Sequence, residues 1–122
     1  MVLSESYVAY LENIPKKNRI FVMRNRGHNN LAPSVELLHA FKQKEFALKQ
    51  AGMSGIEAHN AAWEAVRYED RFIAAFWSNP SAVEELRSIK TRSLSEDVYL
   101  ICYEKPPKKC HRHLLLSIAR NL

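Results

Sequence analysis

A chain of 122 residues, 47% hydrophobic and 25% charged, carries enough apolar material for one ordinary domain with its own core. Two cysteines are too few for a secreted disulfide framework, and no N-terminal apolar run is long enough for a signal peptide or a membrane span. The expected compartment is therefore a reducing cytoplasm, with no membrane partner; the absence of any repeat or low-complexity tract excludes solenoids and disordered arrays.

Eighteen Lys and Arg against thirteen Asp and Glu leave a net charge of +5, which favours anionic partners. The excess is uneven. Residues 15–28 hold Lys16, Lys17, Arg19, Arg24 and Arg26 with no acid, and residues 105–120 hold Lys105, Lys108, Lys109, Arg112 and Arg120, again with no acid. If the fold brings these stretches together, they form one positive surface.

Along the chain, Ser6 to Leu11 fits either a short strand or a helical turn, and Pro15 stops both. The apolar run Ile20-Phe21-Val22-Met23 predicts a buried strand. Asn25 to Asn30 reads as a loop. Ser34 is placed to cap a helix whose apolar side is Leu37, Leu38, Phe41 and Leu48, ending at Gly52. A second helix, the longest element, is expected to run from near Ser54, with Ile56, Trp63, Val66, Ile73 and Trp77 recurring at helical intervals. Asn79-Pro80 ends it and opens another, with Asn79 as cap, Pro80 in the first turn and Val83, Leu86 and Ile89 as the apolar stripe. Val98 to Tyr103 is the clearest strand, apolar throughout as befits two covered faces. After a Lys- and Pro-rich turn, a last helix starts near Cys110, with Leu114, Leu115 and Ile118 on its buried side and His111 on that side too. Strands separated by helices pair in parallel through helical crossovers. The expected fold is a small, helix-rich α/β domain over residues 1–122, with a mainly parallel sheet between helices on both faces in three layers, its third strand taken from the N-terminus.

Ligands of open α/β sheets collect beyond the C-terminal strand ends. That rule selects Arg24 to His28 after the first strand and Cys102 to Arg112 after the last. Cys110, at a helix start beside Lys108, Lys109 and Arg112, is expected to favour the thiolate and to act as nucleophile or redox thiol; a small buried residue closing the helix on the strand is the alternative. The same amides, with Arg112 as a planar donor, suit a phosphate group. Cys102, inside an apolar strand, is expected to be an inert core thiol, with a resolving role for Cys110 as the alternative. Glu104 is a candidate general base that lacks an evident partner. Lys105, Arg24, Arg26 and His28 complete the basic rim. No metal and no cofactor are expected: Cys102, Cys110 and His111 match no standard zinc spacing, and neighbouring helical residues diverge. His39, His59 and His113 are expected at the surface or its boundary.

The stretch Leu100 to Pro106 followed by Cys110-His111-Arg112-His113-Leu114-Leu115 resembles the strand-end signature of domain-of-unknown-function family 488. Leu31-Ala32-Pro33-Ser34 with Glu36-Leu37-Leu38 is similar to a second family motif, and Ser6-Tyr7-Val8-Ala9 to its opening. The resemblance implies a compact parallel α/β domain and supplies no reaction. It marks Cys102, Glu104, Lys105, Cys110, His111 and Arg112. The chain departs from the pattern after the first strand, where Arg24-Asn25-Arg26-Gly27-His28 stands in place of a Trp- or Pro-containing apolar segment.

Three functions remain open on these residues. One is an enzyme or binding domain for a small anionic, phosphorylated compound. The second is a nucleic-acid module on the same basic rim, without a standard motif. The third is a non-catalytic assembly protein, its oligomer surface drawn from Trp63, Phe72, Phe76 and Trp77.

Overall fold

Three short parallel strands meet in one sheet in the order β1-β3-β2. The computed structural model describes residues 2–122. Strand β1 is Leu3–Tyr7, β2 is Arg19–Phe21 and β3 is Val98–Cys102. The helices are α1 (Val35–Gln50), α2 (Gly55–Ala65), α3 (Tyr68–Trp77), α4 (Pro80–Arg92) and α5 (His111–Ala119). β3 is central and pairs with both neighbours in parallel, Tyr7 opposite Cys102 and Phe21 opposite Ile101. Consecutive Leu100 and Ile101 are both fully buried, and alternate strand residues point to opposite faces, so both faces are covered. The stretch Ser6 to Leu11, open between strand and helical turn in the sequence, divides: Ser6 and Tyr7 close β1, and Val8 to Leu11 lie in a 3₁₀ turn over Val8–Asn13.

The helix starts follow the local chemistry. Ser34 Oγ accepts from the Leu37 amide, Ser54 Oγ from the Glu57 amide, and Asn79 Oδ1 from the amides of Ser81 and Ala82 at 3.1 and 3.4 Å. Asn79→Ala removes the acceptor for two orphan amides, and the expected cost is about 1 kcal/mol, read as a lower urea midpoint with an unchanged slope.

The expected long helix from Ser54 is two helices. The chain breaks at Arg67, which adopts a left-handed conformation with φ 54° and ψ 48°. The reason is geometric. At roughly 100° per residue, Trp63 and Phe72 on one straight helix would face opposite sides. The break lets both reach the core: Trp63 stacks on Tyr68 with centroids 3.9 Å apart, and Phe72 and Phe76 follow on the buried side. The stripe expected from Ile56, Ile73 and Trp77 is displaced accordingly, and Ile56 and Trp77 are exposed. Helix α5 packs on β1 and β3, and α3 and α4 pack on α5. This stacking carries the end of β3 and the start of α5 into the interior. No helix among the described residues is long and apolar enough to cross a membrane.

Candidate functional site at the end of the central strand

Because β2 and β3 are parallel neighbours, their C-terminal ends lie side by side. Cys102 is the last residue of β3, and Val22 follows β2 with its amide donating to the Ile101 carbonyl at 3.0 Å. The chain then turns and returns at Cys110. That residue is the N-cap of α5 and has an extended backbone, φ −147° and ψ 151°. His111 is the first helical residue, so the two are not neighbours on one helix and are not held about 100° apart around its axis. The divergence expected of helical neighbours does not arise, because only one of the two is helical.

The result is a buried cluster. His111 Nδ1 lies 3.5 Å from Cys110 Sγ and 3.8 Å from Cys102 Sγ. All three donor atoms fall within 4.8 Å of one another. His111 Nε2 donates to the Val22 carbonyl at 2.7 Å, which turns Nδ1 toward both sulfurs. The C-terminal ends of β2 and β3 are thereby joined through one imidazole.

The two thiols are not equivalent. The Cys102 sulfur is pulled well below the ordinary thiol range by a hydrogen bond from Cys110, against the opposing effect of burial, and by the hydrogen bond and charge of His111 and the Glu104 amide. Burial pushes Cys110 up, and the negative charge on Cys102 pushes it further, with the amide and guanidinium of Arg112 only partly offsetting them. The shifts run opposite to the expectation from sequence, Cys102 giving up its proton more readily than Cys110. A helix N-terminus favours an anion, but the sulfur there is sealed from solvent and already faces another negative sulfur. The Tyr68 hydroxyl is pushed far up by burial and by the same sulfurs, so it stays protonated.

The cluster forms one wall of a cavity of about 220 Å³. Phe41, Trp63, Tyr68 and Tyr103 supply aromatic surface; Arg24, Lys42 and Lys109 stand as cations; Glu104 is the acid. A family model for the active DUF488-N3 subclade matches residues 12–121, a span that includes every one of these side chains. The chain belongs to domain-of-unknown-function family 488. No curated protein and no solved structure gives a significant match to it.

Within this DUF488 domain the other expected site residues are spread out. Glu104 lines the cavity, half-buried, with Lys108 3.9 Å away. Lys105 is exposed on the turn. Arg24 lines the cavity, but its Nε and Nη2 donate to the Pro33 carbonyl at 3.1 and 3.0 Å. Arg26 lies over Phe21 and donates to the Tyr103 hydroxyl at 3.2 Å, outside the cavity wall. Two expectations are corrected. His28 faces away and meets Glu85 of α4 at 2.5 Å, because the loop after β2 folds onto α4. Arg112 is not a rim donor: it is only 1% exposed, points to β1 and donates from Nε to Glu5 at 3.2 Å.

His59 of α2 is the residue that the sequence reading placed wrongly. It is 2% exposed and lines the cavity. Its Nε2 donates to the Lys109 carbonyl at 2.6 Å, and Nδ1 faces Glu45 of α1 at 3.1 Å. Asn60 beside it accepts from the Lys109 amide at 3.0 Å. Helices α1 and α2 thus hold the segment that presents Cys110. A signal was available: His59 lies four residues before Trp63, hence on the same helix face.

Proposed function

We propose that the domain is a thiol-dependent enzyme acting on a small anionic compound held in the cavity. The observation that carries this reading is the cluster itself, two sulfurs and an imidazole within 4.8 Å of one another on the wall of a cavity with a cationic rim, Cys102 lowered and Cys110 raised. Two groups whose environments drive their proton affinities apart suit opposite tasks. Cys102 attacks an electrophilic carbon of the ligand and forms the sulfur–carbon bond. The electron pair displaced onto the leaving atom takes its proton from Cys110. His111 holds both sulfurs in place and is itself held by the Val22 carbonyl.

The size and lining of the cavity limit the ligand. Its volume lies below the ~300 Å³ at which pockets for drug-sized molecules begin, so the compound is smaller than those. Aromatic walls suit a flat body, and the rim suits a carboxylate or phosphate. Lys109 is paired with Glu64 and Arg24 with Pro33, whereas exposed Lys42 has no acidic partner among the described residues. Lys42 is therefore the cation that meets the anionic group.

The test is protection of Cys102 from alkylation by small phosphates and carboxylates. Saturable protection is expected, weakened about tenfold in Lys42→Glu, the worth of one charge-assisted hydrogen bond. Absence of protection at any concentration, or equal protection in the variant, would contradict the reading. Protection by nucleic acid alone, lost steeply with salt, would transfer the surface to the nucleic-acid class instead.

A further inference from the structure

We infer that Cys102, Cys110 and His111 form a three-donor site for a thiophilic divalent cation, with zinc as the representative ion and its fourth position opening on the cavity. This deepens the reading above, since it rests on the same cluster and the same cavity, and it names a second occupant for them.

A tetrahedral zinc ion has bonds of ≈ 2.3 Å to sulfur and ≈ 2.0–2.1 Å to nitrogen, which places sulfur and nitrogen about 3.5 Å apart. The two sulfurs stand 3.5 and 3.8 Å from His111 Nδ1, and no donor pair exceeds 4.8 Å. A ligating histidine almost always donates its other ring N–H to a carboxylate, carbonyl or water. His111 does so to the Val22 carbonyl at 2.7 Å, which leaves Nδ1, facing both sulfurs, as the ligating nitrogen once it carries no proton. Two sulfurs and one imidazole select a soft or borderline ion; calcium and magnesium, which require oxygen ligands, are excluded. Three protein ligands with one open position is the arrangement of catalytic rather than structural zinc.

The charge balance is also favourable. Both sulfurs bind as thiolates, so loading releases the Cys110 proton to solvent along with any proton on Cys102. Two thiolates then neutralise the dication, so the basic surroundings do not oppose it. The spacing is not a standard zinc pattern, yet adjacent Cys110 and His111 both reach the cluster, Cys110 as the cap and His111 as the first helical residue. The loaded site and the nucleophilic site are mutually exclusive. With zinc in place both sulfurs are ligands, alkylation of Cys102 stops, and the ion's fourth position meets whatever enters the cavity.

Cobalt titration of the reduced, chelator-treated full chain tests this. The chain has two cysteines, both in the cluster, so any thiolate-to-cobalt charge-transfer band comes from them. One cobalt per chain is expected, with that band and the intense visible absorption of a tetrahedral ion, both erased by one equivalent of zinc. Cys102→Ser and Cys110→Ser should each lose about half of the charge-transfer intensity and at least tenfold in affinity. No band, a pale octahedral spectrum, or a band unchanged in either variant would overturn the inference. Should a variant fail to fold by circular dichroism, the wild-type spectrum with its zinc displacement decides alone. Ligand protection of the metal-free chain without a cobalt band removes only the metal site; a cobalt band without ligand protection removes only the proposed enzyme.

Discussion

Glu5→Ala should cost the fold about 3 kcal/mol, far more than Arg112→Met, which should change stability by no more than about 1 kcal/mol in either direction. The asymmetry follows from where the charge sits. Arg112 is among the largest fully buried side chains, and its Nη1 and Nη2 have no hydrogen-bond partner among the described residues. Its Nε reaches Glu5, whose carboxylate also takes His113 Nδ1 and remains about a quarter exposed. Removing the acid strands a guanidinium in the interior. Methionine, by contrast, fills much of the same volume and has nothing to desolvate. The partial exposure of Glu5 keeps the expected cost at the low end of the range for broken buried pairs. Urea midpoints at neutral pH measure both variants. A Glu5→Ala shift no larger than that of an exposed control such as Glu84→Ala would mean that the guanidinium charge is balanced elsewhere. This position also explains why Arg112 serves poorly as a ligand donor: it ties α5 to β1 beneath the site.

How far the sequence reached is visible in particular elements. The strand Val98–Cys102, the caps Ser34, Ser54 and Asn79, and the parallel arrangement follow from local chemistry, which acts within a few residues. The rim rule also selected the strand end at which the Cys102, Cys110 and His111 cluster lies. The break at Arg67 was not legible, because any arginine in an apolar helical pattern reads as helix; only the need to bury Trp63 and Phe72 together forces the left-handed turn. The direction of the thiol shifts was not legible for a similar reason. Neighbouring charges in sequence pointed to Cys110, whereas the main groups that lower Cys102 lie eight and nine positions later, brought back by the turn. His59 was misplaced because its partners, Glu45 and the Lys109 carbonyl, lie 14 and 50 residues away.

Alkylation of Cys102 should be nearly independent of pH between about 5.5 and 7.5, over which an ordinary thiol gains about a hundredfold in rate. The thiolate fraction of a sulfur held well below its usual range no longer changes there, and slow access through the cavity lowers the rate without altering its slope. Cys110→Ala deletes the hydrogen bond that is the largest cause of the shift, so the variant should recover a rising profile. The same cluster predicts a stability profile. The folded value of Cys102 lies below its unfolded value, so its contribution is complete above the unfolded thiol range, near 8.5, and is lost as pH falls toward the folded value. Cys110 has the opposite sign: its contribution is complete below the unfolded range and declines as pH rises beyond it. Stability should therefore rise from mildly acidic pH to about 8 and turn down above it, and Cys102→Ala should flatten the rise. Urea midpoints across that window, taken in reductant and chelator, read the profile. A wild-type alkylation rate that climbs tenfold per pH unit would place the proton on Cys102 after all, and the division of labour between the two sulfurs would fall with it.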